Sequence, residues 1–219
     1  MLDELIDEYN KLQFKYGDEN LDAITFGGCL ENPDVCLVFM NPTARNIAAS
    51  KDWKGRKSLW IGTKNVWNLF NKIGMIDDEL YGRIKAIRGK DWTYEFADLV
   101  YEQVSKNKFY ITNLAKCSQK DARSLPDDVF ENYLELFYRE MEIVNPKVII
   151  LFGNLVSSIV LREKINVSLV RRKEFLLNNK FKCYSVYYPV GNGVFNLDKA
   201  IEDILYIINS QNWLSYVII

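Results

Sequence analysis

Asparagine recurs at the points where buried strands are predicted to end. Asn41 follows the apolar run 35–40, and Asn113 follows the run 109–112. The carboxyl ends of parallel strands form the ligand-binding edge of an open α/β sheet. A carboxamide both donates and accepts hydrogen bonds, so this edge suits a neutral ligand with mixed donors and acceptors, such as a nucleobase. Because asparagine is also a common turn residue, the pattern alone leaves simple strand-ending turns as the alternative.

The composition removes several classes of catalytic site. The 219-residue chain contains no histidine, which excludes histidine-ligated zinc, a Ser-His-Asp triad and a Cys-His dyad. The loops after the strands lack the glycine patterns of a P-loop and of a dinucleotide-binding turn. The four cysteines have no C-x-x-C spacing, and we interpret them as reduced, buried thiols of a cytoplasmic protein: Cys29, Cys36, Cys117 and Cys183.

The charge balance argues against a protein that binds polyanions over its whole surface. Lys and Arg number 28 against 29 Asp and Glu, so the net charge is −1, whereas nucleic-acid-binding domains are normally strongly basic. One local basic cluster lies beside Trp53 and Trp60. A charged run is usually a solvated face, but the position of this one beside the predicted site favours contacts with phosphates. Its members are Lys51, Lys54, Arg56 and Lys57, and Arg171-Arg172-Lys173 is a weaker candidate.

Buried strands alternate with helices along the chain, which predicts an α/β fold with a parallel sheet between helical layers. Apolar runs predict strands at 35–40, 109–112, 147–153 and 183–188. The segment 175–181 predicts a hairpin with two asparagines at its turn. We therefore predict a single domain over residues 1–219, with three α/β/α layers and a central, mostly parallel, four-stranded sheet. Helices are predicted at 2–15, 66–73, 77–106, 126–144, 155–161 and 201–208, with Pro126 as the first helical residue of its helix.

Five segments resemble motifs of the uracil-DNA glycosylase superfamily, in order along residues 35–195. Phe39-Met40-Asn41-Pro42 resembles the Asn-Pro form of the first motif, and Leu59-Trp60-Ile61-Gly62 is similar to the Pro-Phe-Val-Gly segment of family 4. The segment 110–117 resembles that family's Tyr-Ile-Thr-Asn-Val-Val-Lys-Cys. The segment 145–153 resembles its Pro-Lys-Val-Ile-Val-Ala-Leu-Gly strand, and Tyr188-Pro189 falls where its His-Pro-Ser motif sits. Arg123 also stands where family 4 has an arginine.

The resemblance implies a DNA glycosylase that removes uracil, or a related deaminated or mispaired base, by water attack at the sugar carbon. It assigns Asn41 to positioning the water and Tyr188 to stabilising the departing base anion. Trp60 would lie under the base and Asn113 would read its edge, with Pro42 and Thr43 beside it. Contacts with DNA are expected at Lys54, Arg56, Lys57, Gly191 and Asn192.

The size of the residue after the Asn-Pro pair affects which base the predicted site can accommodate. In uracil-specific members of the superfamily, a bulky tyrosine follows an Asp-Pro pair and excludes the methyl group of thymine. Thr43, which is much smaller, stands at that position here. We therefore predict that activity extends beyond uracil to mispaired thymine or to another 5-substituted or deaminated base.

Two departures from family 4 limit the resemblance. The histidine of the last motif is replaced by Tyr188, and only Cys117 falls where family 4 has a cysteine ligand of its iron–sulfur cluster. Tyr133 stands where another ligand is expected. We therefore predict no cluster and no other metal site. A catalytically silent protein that binds a nucleobase or single-stranded DNA is the alternative function.

A third class of function is less favoured. A small-molecule hydrolase on the same sheet would need a nucleophile beside a base, and no such pair is visible in the sequence. The longest strongly apolar run, 148–152, is far shorter than a membrane-spanning helix. We expect a cytoplasmic monomer that acts on DNA, without a membrane segment.

Overall fold

The structure, a computed structural model, describes residues 2–122 and 125–211 and, at Asn192, the main chain only. Short 3-10 helices connect some of its elements, at Ile47–Ala49, Gly89–Asp91, Val167–Leu169 and Gly191–Asn196. Within the described ranges, none of the helices is both long and apolar enough to cross a membrane. The helices and strands follow in the order α1 Leu2–Tyr16, β1 Phe26–Gly28, β2 Val35–Phe39, α2 Asn65–Lys72, α3 Asp78–Ala86, α4 Tyr94–Lys106, β3 Phe109–Asn113, α5 Asp127–Val144, β4 Val148–Phe152, α6 Gly153–Leu161, β5 Glu174–Leu177, β6 Phe181–Val186 and α7 Leu197–Ser210.

Within residues 2–122 and 125–211, six strands form one mixed sheet in the order β1-β3-β2-β4-β6-β5. The four central strands are parallel to one another, and β1 and β5 are antiparallel strands at the two edges. The predicted α/β fold is confirmed, but the prediction of a four-stranded sheet is wrong because it left out both edges. The four predicted strands are the parallel centre. Their residues are almost all buried on both faces and therefore form continuous apolar runs.

The two edge strands have different sequence signals. β1 has three residues, two of them glycines, and a glycine pair usually marks a turn. A Cβ at Gly28, where φ is +98°, would lie 2.2 Å from the carbonyl oxygen of Phe109, so this pairing requires glycine. β5 is the first arm of the predicted hairpin. Asn178 and Asn179 have φ angles of 51° and 53°, the left-handed pair of a type I′ turn.

Helices cover both faces of the sheet, because alternate residues of each strand point to opposite sides. Helices α2, α3, α4 and α7 pack on the face that carries Val35, Leu37 and Phe39. Helices α1, α5 and α6 pack on the face that carries Cys36 and Val38. The sheet therefore lies between two helical layers and has an apolar core on each side.

Helix boundaries differ from the predictions where polar segments interrupt the apolar spacing. The region 77–106 contains two helices, α3 and α4, rather than one continuous helical segment. Asp77 and Thr93 cap them, each side chain accepting a hydrogen bond from a main-chain N–H of the first turn. Pro126 is the N-cap of α5 rather than its first residue, and Asn145, at φ 52°, ends that helix.

Candidate functional site

The chain segments that follow β2 and β3 run side by side beyond the sheet. The Gln119 N–H donates to the Pro42 carbonyl at 3.0 Å, and Thr43 forms an isolated parallel bridge with Gln119. Asn41 is the second residue of the first of these segments, after Met40, and Asn113 is the last residue of β3. The structure thus places the predicted base-contacting residues of both segments at one edge of the sheet.

Each of the two asparagines has a buried polar atom without a hydrogen-bond partner among the described residues. Nδ2 of Asn41 donates to the Pro42 carbonyl at 3.2 Å, while its Oδ1 is unpaired. Asn113 is 2% exposed, and its Nδ2 is unpaired. A buried unpaired polar atom costs about 1–3 kcal/mol. One free acceptor and one free donor at the same sheet edge therefore indicate groups that a ligand would pair.

Trp60 has a main-chain conformation that few bulky residues adopt. Its φ is 63°, and such a left-handed conformation costs about 1–3 kcal/mol and persists only where the surroundings hold it. The Trp60 carbonyl accepts hydrogen bonds from Thr63 Oγ1 at 2.7 Å and Trp67 Nε1 at 3.2 Å. The Trp60 ring meets the Phe39 ring edge-on, with 5.0 Å between centroids. Loop and core together fix this ring beside the end of β2.

Tyr188 lies in the loop after β6, which ends at Val186, two residues before the predicted end of that strand. Its ring also meets the Phe39 ring edge-on, at 6.3 Å. Burial raises the pKa of Tyr188 to about 12, so its hydroxyl stays protonated at neutral pH and can donate. A Cβ at Gly193 would lie 2.0 Å from the Tyr188 carbonyl oxygen, so the tight fold of this loop requires glycine there.

The Phe39 ring meets four other rings, those of Trp60, Phe152 and Tyr188 and that of Phe70 of α2 at 6.1 Å. We call four of the five the aromatic cluster: Phe39, Trp60, Phe152 and Tyr188. Phe39 is its centre, because its ring also stacks on Phe152 with 4.4 Å between centroids. The sequence analysis missed Phe39 as a site residue. Its signal is its place as the last residue of β2, in register with Asn113. The unpaired polar atoms of the site are closed to solvent, so side chains around them must shift before a ligand can pair with them.

The fold uses two of the three cations predicted to contact DNA for its own packing. Lys57 pairs with Asp22 at 2.8 Å and donates to three main-chain carbonyls of the preceding loop. Arg56 pairs with Asp98 at 3.1 Å. Lys54 is exposed, and its ammonium donates only to a main-chain carbonyl of its own loop among the contacts described. DNA contact by the three residues remains a prediction, and Lys54 is the best placed of them.

The weaker basic candidate is also engaged within the protein. The Nε atoms of Arg171 and Arg172 donate to the Asp203 carboxylate at 2.8 and 2.7 Å. Asp203 belongs to α7 and is fully buried. These two arginines therefore fasten the segment before β5 to α7.

The loop after Tyr188 carries an exposed apolar tip that the sequence analysis missed. Gly191 is exposed, with φ 59°, and the side chain of Asn192 and the whole of Arg123 lie outside the described residues. Phe195, in the same 3-10 helix as Gly191, is 91% exposed. An exposed phenylalanine beside a ligand-binding edge is a candidate contact for a partner.

The cysteines do not assemble as a set of metal ligands. All four are buried and free. The Cys117 thiol lies against the Tyr133 hydroxyl, and burial raises the pKa of both groups. The described residues contain no group of three His, Cys, Asp or Glu side chains that could hold a metal ion. A phenol beside a single protonated thiol does not fit the four thiolates of an iron–sulfur cluster, and the absence of a cluster remains a prediction.

Comparison with known proteins covers the sheet, the helices around it and the candidate site. A family model described as the uracil DNA glycosylase superfamily matches residues 26–207. This range begins at β1, ends within α7 and contains the aromatic cluster and both asparagines. A search of curated proteins gives no match. The family 4-like subtype and its motifs remain a prediction.

Proposed function

The chain belongs to the uracil DNA glycosylase superfamily, and we propose that it is a DNA glycosylase that removes uracil or a related deaminated or mispaired base. The observation that carries this proposal is the pair of unpaired, buried amide atoms at neighbouring strand ends, Oδ1 of Asn41 and Nδ2 of Asn113. A pyrimidine edge such as that of uracil presents carbonyl acceptors, which suit the free donor of Asn113.

A glycosylase that acts on duplex DNA must take the base out of the stack, at a cost of a few kcal/mol. We propose that Nδ2 of Asn113 donates to a carbonyl oxygen of the flipped base and that the Trp60 ring lies against its face. Stacking on an aromatic ring contributes about 1–3 kcal/mol per base. Because the free amide atoms are closed to solvent, we propose that Trp60 or Tyr188 moves aside when the base binds.

The reaction breaks the N-glycosyl bond between the base and C1′ of the sugar, and the bonding electrons leave with the base. A water oxygen then bonds to C1′ and loses a proton to solvent, while the base anion takes one up. Oδ1 of Asn41 accepts a hydrogen bond from this water and orients it, but a carboxamide does not remove the proton. Bond breaking therefore runs ahead of water attack, and the neutral Tyr188 hydroxyl donates to the departing base anion.

The exposed tip of the loop after Tyr188 offers the protein a way to open the duplex. Apolar side chains that enter between base steps partly unstack them. Phe195 is 91% exposed and lies seven residues after Tyr188. We propose that Phe195 enters the base stack where the target base leaves it.

A catalytically silent DNA-binding protein of the same fold is the second candidate function. It is favoured by two features of the chemistry at the site: the pKa of Tyr188 is raised to about 12, and the sequence contains no histidine to act as an acid or base near neutral pH. General acid–base catalysis contributes about 10²–10⁴-fold to a rate. A site without it acts slowly or only binds.

The experiment that separates the two functions uses duplexes with a single uracil, hypoxanthine or mispaired thymine. Each is incubated with the protein and then with alkali, which breaks the strand at an abasic site. We expect breaks at the substituted position with the parent and about 100-fold fewer with Asn113→Ala. Asn132→Ala, on the exposed face of α5, serves as the control and should act like the parent. Binding without alkali-sensitive sites would favour the silent protein.

A further inference from the structure

A buried ion pair lies beneath the candidate site, on the opposite face of the sheet. Lys116 and Glu140 are both fully buried, and Nζ lies 2.8 Å from Oε2. Removing two charges from water is costly, and such a pair often adds little to stability compared with apolar residues of similar size. The contacts of this ion pair therefore indicate a role other than stabilising the fold.

Glu140 accepts hydrogen bonds from three hydroxyl groups in addition to its contact with Lys116. Tyr9 of α1 donates at 2.5 Å, Tyr110 of β3 at 3.0 Å and Thr112 of β3 at 2.6 Å. The carboxylate thus joins helices α1 and α5 to the strand that ends at the site.

Lys116 carries this network to Asn113. Its ammonium donates to Thr112 Oγ1 at 2.6 Å and to the Asn113 carbonyl oxygen. The next main-chain N–H, that of Leu114, belongs to the same peptide unit and donates to the Phe39 carbonyl at 2.8 Å. Both polar atoms of the Asn113–Leu114 peptide are therefore held, one from each side. Fixing this peptide fixes the direction in which Asn113 sends its side chain.

We propose that Lys116 and Glu140 form a positioning pair, which aims the Asn113 carboxamide at the base by clamping its peptide carbonyl. The inference rests on the proposed function, in which Asn113 reads the base edge. A displaced carboxamide would lose hydrogen bonds that uracil makes and cytosine does not. Loss of the clamp would therefore reduce the preference for uracil over cytosine.

A purely structural network would behave differently. In that case, removal of any donor to Glu140 would lower stability and leave base preference unchanged. Tyr9→Phe is the matched control, because it removes a donor to the same carboxylate but touches neither Lys116's bond to Asn113 nor the Asn113 peptide. Lys116→Met removes the clamp itself.

The experiment compares the parent, Lys116→Met and Tyr9→Phe in two measurements. The first is the NMR signal of the Asn113 side-chain amide in the free protein, which needs no activity. The second is the ratio of dissociation constants for duplexes with one cytosine or one uracil. We expect Lys116→Met to shift or broaden the Asn113 signal and to lower the ratio at least about tenfold, the effect of a lost hydrogen bond to the base. Tyr9→Phe should change neither, although both variants should melt at lower temperature than the parent.

The two measurements keep this inference separate from the proposed function. A folded Lys116→Met protein with the parent's Asn113 signal overturns the positioning role, whatever the DNA result. A parent that does not prefer uracil contradicts the proposed function, while the NMR comparison still decides whether Lys116 positions Asn113. If Lys116→Met does not fold, the charge-neutral double variant Lys116→Met with Glu140→Gln, which also has no donor at position 116, replaces it with the same expected results.

Discussion

At the level of single residues, we expect Thr43 to determine which base the site admits. It follows Asn41 and Pro42 and is partly exposed. One methyl group changes the free energy of binding in a pocket by only about 1–3 kcal/mol unless a side chain blocks it. We expect the parent to release mispaired thymine as well as uracil, and Thr43→Tyr to favour uracil. The measurement is the ratio of release rates from the two duplexes, with Thr43→Ser as the control of similar size. A uracil-exclusive parent would show that another side chain blocks the methyl.

Trp60 allows a second test at the level of single residues, because one variant removes its ring and N–H together and another removes the N–H but keeps an aromatic ring. Trp60→Ala should weaken binding of uracil-containing DNA by about 1–3 kcal/mol, the loss of one stacked base. Trp60→Phe keeps a ring against Phe39 and should retain most of that affinity. Dissociation constants and thermal unfolding of both variants provide the check. If a folded Trp60→Ala protein binds uracil-containing DNA as tightly as the parent, the Trp60 ring does not stack on the base.

Some site residues could be predicted from the sequence and others could not. The positions of Asn41 and Asn113 near strand ends could be predicted because apolar runs show where buried strands end, and their contact with a base remains a prediction. The left-handed turn at Trp60 depends on hydrogen bonds from Thr63 and Trp67, and no local pattern reports such bonds. Phe39 was missed because a core residue and a site residue look alike at the end of an apolar run.

At the level of elements, burial on both faces made the four parallel strands predictable. β1 was not predicted, because its three residues include two glycines and its pairing depends on β3, about 80 residues away. The role of Lys57 was hidden for a similar reason. Its ionic partner Asp22 lies far from it in sequence, so a basic run that looked free for DNA is partly used by the fold.

The loop between β2 and α2 therefore has a single well-placed candidate for phosphate contact among the three predicted there. Each phosphate contact contributes about 0.9 to the slope of log affinity against log salt on duplex DNA. We expect Lys54→Ala to reduce the slope by about that amount. Lys147→Ala should leave the slope unchanged, since Lys147 precedes β4 at the other end of the strands and pairs with Asp34 at 2.6 Å. Equal slopes for the parent and Lys54→Ala would remove Lys54 from the interface.

At the level of the whole molecule, the absence of histidine and the burial of thiols and phenols determine how stability depends on pH. Burial raises the pKa of Cys183 from 9.0, and those of Tyr184 and Tyr188 from 10.0, to about 12. The unfolded chain therefore loses these protons at lower pH than the folded chain. These groups stabilise the fold fully below about pH 9, and their contribution falls as pH rises toward 12.

We therefore expect the free energy of unfolding to vary little with pH from about 6 to 9 and to fall steeply above that range. Urea unfolding at a series of pH values measures it. Tyr188→Phe removes one of the titrating groups, so its curve should be shallower between about pH 10 and 12, by up to about 1.4 kcal/mol per pH unit. A parent and a variant with the same slope would show that Tyr188 ionises alike in the folded and unfolded states.

The central claim is that this member of the superfamily removes a base with neutral side chains, of which Asn41 orients the water. The most direct measurement is the single-turnover rate of uracil release, with enzyme in excess, by the parent and by Asn41→Ala. We predict that Asn41→Ala lowers this rate about 100-fold while the dissociation constant for uracil-containing DNA changes less than about threefold. Equal release rates for the two proteins would contradict the claim.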